Sequence, residues 1–414
     1  MVSKVANLAL AELGEKNYNW AYNHMPALVK TIEKADKGKP LQGLRLAACL
    51  HVTKETSVLV MGLKRLGAEV YLAGANPLST QDDIAAFLAN QEISVYAWRG
   101  ENEEEYFDCI RTILRANPHI MLDDGADAHV TLHQEDEFKA LKPLGGTEET
   151  TTGIIRLKAL EASGNLRYPI IGVNNAYSKY LFDNRYGTGQ STLDGLLRAT
   201  SLLMAGKRLV ICGYGWVGRG IALRARGLGC KVIVTEVNPL RALEAHLDGF
   251  DVMPLNEAAK LGDMFVTATG QYRVIRGEHI ENMKDGAILA NAGHFDVEID
   301  VNYLEENKES IREVRNYVEE YKLKSGKRIY LVSKGRVVNL VAAEGHPPEV
   351  MMMSFSNQLL SVIYIAKNFK ELKPNLMDVP KEIDEQVARN ALEGFNVKID
   401  ELTEEQIAYS KSYK

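Results

Sequence analysis

Gly213, Gly215 and Gly218 fall at the spacing GxGxxG inside the stretch GKRLVICGYGWVGRGIALRARGLGCKVIVTEV (206–237). The apolar run before them predicts a strand, the amphipathic run after them a helix opened by Trp216 and Val217, and the next apolar run a second strand ending at Glu236. Each glycine then has a task. The first permits the tight turn, the second lets backbone approach a pyrophosphate, and the third lets the helix close on the sheet. The free N–H groups and positive dipole end of that helix suit a diphosphate. A carboxylate at Glu236 suits a ribose with both hydroxyls free and repels a 2′-phosphate, so NAD is the expected cofactor rather than NADP.

Other residues able to do chemistry gather at predicted strand ends and loops: His51, Thr53 and Glu55; Asp123 and Asp124; Glu148 and Glu149; Lys179, Asp183 and Asn184; His294; Asn339 and His346. Each alone has an ordinary structural explanation, such as a helix cap or a satisfied core histidine. Around one dinucleotide site they make an acid–base set, and a lysine held near a pocket can have its pKa lowered towards working pH. His129 and His133 lie four residues apart, a spacing that suits zinc on a helix, but no HExxH glutamate or third ligand accompanies them and no metal is expected. The four cysteines have neither metal nor disulfide spacing and read as small buried residues.

These groups must be positioned by alternating elements. In the first half LRLAACLHVT, AEVYLAGA, ISVYAW, HIMLDDGAD and YPIIGVNNAY read as short buried strands separated by helical segments. Their polar ends make this the expected substrate half. After Glu236 the pattern continues through DMFVTATG and AILANAGHFD to an expected hairpin, RIYLVSKGRVVNL. From about Gly345 a breaker leads into an apolar helix read as a crossover to the first half, with Met351, Met352 and Met353 as adaptable packing. The expected fold is α/β, with two doubly wound parallel-sheet domains joined by a two-crossover hinge. The substrate-binding domain spans 1–182, completed by a crossover helix in 347–378; the NAD-binding Rossmann domain spans 183–346; and 379–414 form a small C-terminal oligomerisation appendage. Two crossovers make a hinge that opens and closes over ligand.

The 414 residues carry a net charge of −6 with both signs interspersed, which argues against nucleic-acid partners. No run of about 18 apolar residues and no cleavable leader is found, so no membrane span and a cytoplasmic location are expected.

The blocks CLHVTKET (49–56), STQDD (79–83), VYAWRGENEEEY (95–106), MLDDGAD (121–127), EETTTG (148–153), LFDNRYGTGQS (181–191), GYGWVGRG (213–220), NAGHFDVEID (291–300) and RVVNLVAAEGHP (336–347) resemble the S-adenosylhomocysteine hydrolases, essentially end to end. The resemblance implies a homotetramer that hydrolyses a thioether through transient oxidation of a ribose 3′-hydroxyl by tightly held NAD. It gives Asp124 the 4′ proton, Lys179 with Asp183 the 3′-hydroxyl proton, and Glu149 the ribose hydroxyls. It places Asn184 at the sugar and nicotinamide, His51 at the leaving sulfur or the water, and His294 over the ribose. Thr53 and Glu55 match adenine-recognition positions, Asn339 and His346 hinge contacts to nicotinamide and adenine, and Thr150, Thr151 and Thr152 the cofactor. Two departures stand out. Thr188 replaces a cysteine found in many members, and the end IAYSKSYK lacks their longer tail, so Lys411 and Tyr413 are not equated with its residues. An S-inosylhomocysteine hydrolase, a 2-hydroxy acid NAD dehydrogenase and a catalytically silent NAD-binding regulator are the alternatives.

Overall fold

The computed structural model describes residues 3–413. In the first half β1 (Arg45–Leu50), β2 (Glu69–Gly74), β3 (Ser94–Tyr96), β4 (Ile120–Asp123), β5 (Gly145–Glu148) and β6 (Ile170–Gly172) run parallel. In the second half β7 (Arg208–Cys212), β8 (Lys231–Thr235), β9 (Asp251–Val252), β10 (Met264–Thr267), β11 (Ala287–Asn291), β12 (Lys308–Arg315), β13 (Val318–Leu323) and β14 (Arg328–Val332) form another sheet. A last strand, β15 (Leu376–Asp378), returns to pair with β6. The strand orders are β15-β6-β5-β4-β1-β2-β3 and β12-β13-β14-β11-β10-β7-β8-β9. The first order reverses once, between β1 and β4, and the parallel part of the second reverses between β7 and β10; ligands in such sheets collect beyond the carboxyl ends of strands at that point.

Six helices frame the two halves and their connections: α1 (Pro26–Asp36), α2 (Lys54–Arg65), α3 (Thr188–Thr200), α4 (Trp216–Gly227), α5 (Pro348–Asn368) and α6 (Lys381–Gly394). Apolar residues fill both faces of each sheet. In the first half Leu46, Leu50, Leu72 and Leu122 pack on one face, with Leu359 and Val362 of α5, while Ala47, Cys49, Met121 and Ile170 pack on the other. The crossover helix is thus part of the first-half core. All four cysteines are buried and unpaired. No helix among the described residues is long and apolar enough to cross a membrane.

Four features differ from the sequence reading. Strand β5, GGTE, has no apolar run to announce it. A Cβ at Gly145 would lie 2.8 Å from Ile365 of α5, and one at Gly146 2.5 Å from the His129 ring, so close packing on both faces replaces side chains. The hairpin expected at 328–340 forms instead between β13 and β14, around 324–327. Residues after β14 coil into Ser333–Gly335 and the short helix Val338–Val341, which brings Asn339 inside. Strand β13 is antiparallel to both its neighbours, so the parallel order of the second sheet stops at β14. Finally, α6 is no appendage: it packs on α1 and α5 with Val387 and Ala391 buried, and the large exposed apolar side chains begin at Phe395.

Leu359 is fully buried where α5 meets the first sheet. Leu359→Ala should cost about 2–5 kcal/mol through the cavity it leaves. Urea unfolding followed by far-UV circular dichroism will show a lower midpoint; an unchanged midpoint would mean that α5 is not integral to that core.

Candidate active site

The carboxyl ends of both sheets open on one cleft of about 1230 Å³, larger than the roughly 300–1,000 Å³ usual for a single small ligand. It is lined by His51, Thr53, Glu55, Asp124, Glu149, Thr150, Thr151, Thr152, Lys179, Asp183, Asn184, Gly213, Gly215, Trp216, Val217, Glu236, His294, Asn339 and His346. Of the residues singled out from sequence, Gly218 stands behind this surface, where a Cβ would come within 2.0 Å of the Gly213 carbonyl oxygen.

The second-half wall fits a dinucleotide. Helix α4 starts after Gly215 with no side-chain cap, so its first N–H groups remain for a ligand. A Cβ at Gly215 would meet nothing closer than Arg241 at 3.9 Å, which leaves the backbone approachable. Glu236 stands at the tip of β8, its carboxylate held by the N–H groups of Tyr214 at 2.7 Å, Val237 at 2.7 Å and Asn238 at 2.9 Å.

The first-half wall centres on a buried cation. Lys179 Nζ lies 2.9 Å from Asp183 Oδ2 and 3.9 Å from Glu149 Oε1, and donates to Asn184 Oδ1 at 2.8 Å and Asn174 Oδ1 at 3.3 Å. Asp183 and Asn184 sit on a single π-helical turn, Asp183–Gly187, that leads into α3. Such turns recur at functional sites because the extra residue re-aims side chains. The second oxygen of Asp183 pairs with His346 Nδ1, and His346 Nε2 meets Asn339 at 2.8 Å and Thr188 Oγ1 at 3.1 Å. Thr188 therefore works here as a hydrogen-bonding group. Glu149 receives the Ser354 hydroxyl and, at 2.6 Å, the Gln358 amide, both from α5.

The electrostatics correct one expectation. Burial alone would lower the Lys179 pKa, but Asp183, Glu149 and Asp124 more than offset it and raise the ammonium above its ordinary range. Lys179 is charged and cannot receive a proton before it gives one up. Burial likewise works to raise Asp183, yet His346 and Lys179 hold it well below the usual carboxylate range. Glu149 is pushed up to about 7, chiefly by burial, and it is the carboxylate near Lys179 whose charge changes around neutrality.

On the opposite side Asp124 stands between two imidazoles, 3.8 Å from His51 Nε2 and 3.8 Å from His294 Nδ1. Burial lowers His51 to about 3 and His294 to about 4, so both rings are neutral near pH 7. Burial raises Asp124, which makes it a stronger base than an exposed carboxylate. Ser79 Oγ, 2.7 Å from His51 Nδ1, fixes that ring. Gly125 has φ of 111°, and a Cβ there would lie 2.3 Å from His294 Nε2, so only glycine admits this approach. Thr53 caps α2, and Glu55 is buried in its first turn with Oε1 lacking a hydrogen-bond donor among the described residues.

Several supporting residues escaped the sequence reading. Asn174, Ser354 and Gln358 had no motif to mark them. Asn291 bonds the carbonyls of Gly293, Phe295 and Gly335 and thereby shapes the loop bearing His294. Glu298 accepts from Thr269 N at 3.0 Å and Gly270 N at 2.9 Å, tying the loop after β10 to that same loop. Asp123 and Glu148 lie behind the wall: Glu148 holds the N–H groups of Gly125 at 2.8 Å and Thr150 at 3.0 Å. His129 and His133 spend both ring nitrogens on protein partners: Tyr168, Thr147, the His129 carbonyl and Arg167 N.

Residues 184–345 match the profile described as S-adenosyl-L-homocysteine hydrolase, NAD binding domain, and residues 2–144 that described as S-adenosyl-L-homocysteine hydrolase. The chain is 60% identical over 411 residues to the adenosylhomocysteinase of Sulfurisphaera tokodaii, covering 99% of each chain. The chain belongs to the S-adenosyl-L-homocysteine hydrolase family. It is an enzyme built around an NAD-binding domain. Other family relatives are the adenosylhomocysteinase of Saccharolobus solfataricus, 58% identical over 415 residues with 100% and 99% covered, and the S-inosyl-L-homocysteine hydrolase of Methanopyrus kandleri, 53% identical over 407 residues with 98% and 96% covered.

Asp183→Asn should leave the buried Lys179 ammonium without its nearest counter-charge and cost about 3–5 kcal/mol, as for other broken buried pairs. Because the folded carboxyl lies below its ordinary 3.8, its contribution is complete above that value and is lost as pH falls through the folded pKa. Unfolding free energy measured from about pH 5 downward should therefore drop less steeply in the variant than in the wild type; parallel curves would contradict the depressed pKa.

Proposed function

We propose that this protein hydrolyses S-adenosyl-L-homocysteine reversibly to adenosine and L-homocysteine, with one tightly held NAD per chain. The observation that carries the reading is the Lys179–Asp183–Asn184 cluster facing Asp124, His51 and His294 across a cleft whose other wall is a dinucleotide cradle. NAD bound there would supply reversible two-electron oxidation at the ribose 3′ carbon, which would make the 4′ hydrogen acidic enough to remove. Gly213, Gly215, Trp216, Val217 and Glu236 would hold it, together with Asn184, Asn339, Thr150, Thr151 and Thr152, all of which line the cleft.

The remaining roles belong to side chains. Glu149 binds ribose hydroxyls. Lys179 takes the 3′-hydroxyl proton once it has passed its own to a neighbour, and Glu149, at 3.9 Å and with its pKa near 7, is suited to receive it. Asp124, its basicity raised by burial, removes the 4′ proton. His51 exchanges protons with the leaving sulfur and the incoming water, and His294 covers the reacting ribose. His346 orients Asp183 and closes the hinge side. Thr53 and Glu55, both in the cleft lining, read the purine: a Glu55 carboxylate suits the 6-amino group of adenine and opposes the carbonyl of hypoxanthine. The exposed Phe395, Ile399, Leu402 and Tyr409 support assembly through the C-terminal segment into a homotetramer, and a cytoplasmic location suits the free thiols.

Purified protein given S-adenosylhomocysteine should release adenosine and homocysteine without accumulating NADH, and denaturation should free about one NAD per chain. Stoichiometric NADH release would instead indicate a dehydrogenase. Lys179→Ala should slow turnover by about 10²–10⁴ while substrate still binds; unchanged reduction of bound NAD on adding substrate would remove Lys179 from that role. The wild type should favour S-adenosylhomocysteine over S-inosylhomocysteine by about ten- to a hundredfold in kcat/KM. Glu55→Gln, able to donate to a carbonyl, should narrow that gap; equal wild-type values would separate Glu55 from purine choice.

A further inference from the structure

Beside Glu55 stands a second charge that the reaction does not use. Lys54 opens α2 with only 9% of its surface exposed. Its Nζ lies 3.3 Å from Glu55 Oε1 and 3.1 Å from Glu344 Oε2. Glu344 belongs to the segment returning from the second half to α5. It is held there by Arg198 of α3 at 3.2 Å and by Gln81 Nε2, which donates to its carbonyl at 3.3 Å. A nearly buried lysine is costly unless its charge is used.

The geometry of the pair indicates how. Lys54 lies close enough to Glu55 Oε1 to neutralise it, and Glu55 lines the cleft. The carboxylate charge is thus compensated at the cleft wall. Burial raises the Glu55 pKa and Lys54 opposes that rise, so without the ammonium the carboxyl shifts towards its protonated form. A protonated carboxyl both donates and accepts, and it no longer separates an amino group from a carbonyl.

We propose that Lys54 is a specificity-determining residue: it keeps Glu55 an acceptor-only carboxylate, so that the pocket prefers a 6-amino to a 6-oxo purine, and Glu344 fixes it in that position. The proposal rests on the reading of Glu55 as the purine contact. The simpler role for Lys54, a tie between the hinge segment and the first half, predicts equal effects on both purines.

The test is kcat/KM for S-adenosylhomocysteine and S-inosylhomocysteine in NAD-loaded wild type, Lys54→Met, Lys54→Arg and Glu344→Gln. Lys54→Met should shrink the wild-type preference about tenfold, Lys54→Arg should restore most of it, and Glu344→Gln should fall between. An unchanged ratio in soluble Lys54→Met, with both substrates slowed alike, overturns the proposal. Should Lys54→Met not fold, Glu344→Gln decides, and a wild-type ratio there overturns it equally. A wild type inactive on both substrates fails the functional reading itself, and one preferring the inosine compound fails the Glu55 reading on which this rests.

Discussion

Everything in the cleft is arranged around one buried ammonium. Lys179 is 3% exposed and Asp183 2%, and a charge that far from water persists only when paired and fully hydrogen-bonded. Its partners come from separate parts of the chain. Asn174 follows β6, Glu149 follows β5, and Asp183 lies on the outgoing connection between halves. His346, on the return connection, binds the far oxygen of Asp183. Both crossovers are thus fastened to the same charge, so the hinge and the chemistry share a foundation.

The same cluster divides labour among carboxylates by environment rather than by residue type. Asp183, between an ammonium and an imidazole, is locked as an anion. Glu149 touches the lysine at longer range and takes neutral donors from Ser354 and Gln358, so burial dominates and its pKa moves up to about 7. Asp124 faces two neutral imidazoles whose own burial keeps them uncharged. Three carboxyls within one pocket are thereby given three different tasks, the pattern expected where protons must move in sequence.

The second half contributes rigid geometry. Asn291 and Glu298 spend their polar atoms on backbone groups of the loops after β10 and β11, and so present His294 to the first half. Buried side-chain hydrogen bonds to backbone hold the shape of these loops, alongside the buried Ile275 and Ile299.

What the sequence determined by itself was whatever depends on local order. The GxGxxG turn with its strand, helix and Glu236 is contiguous, and so are His51 and Thr53 after β1 and Asp123 and Asp124 at the end of β4; periodicity and glycine chemistry are enough to place them. The motif blocks then carried the family. Tertiary structure decided what depends on partners distant in the chain. Strand β5 was illegible because its glycines answer to Ile365 and His129, and the misplaced hairpin shows that an apolar run cannot say which neighbour it pairs with. Ser354 and Gln358 lie within an apolar helix, where nothing local distinguishes a polar residue aimed at Glu149 from one facing water. The charge of Lys179 was the sharpest case. A lysine in a pocket has its pKa lowered by desolvation or raised by carboxylates, and only the fold, by bringing Asp183, Glu149 and Asp124 around it, decided which force prevailed.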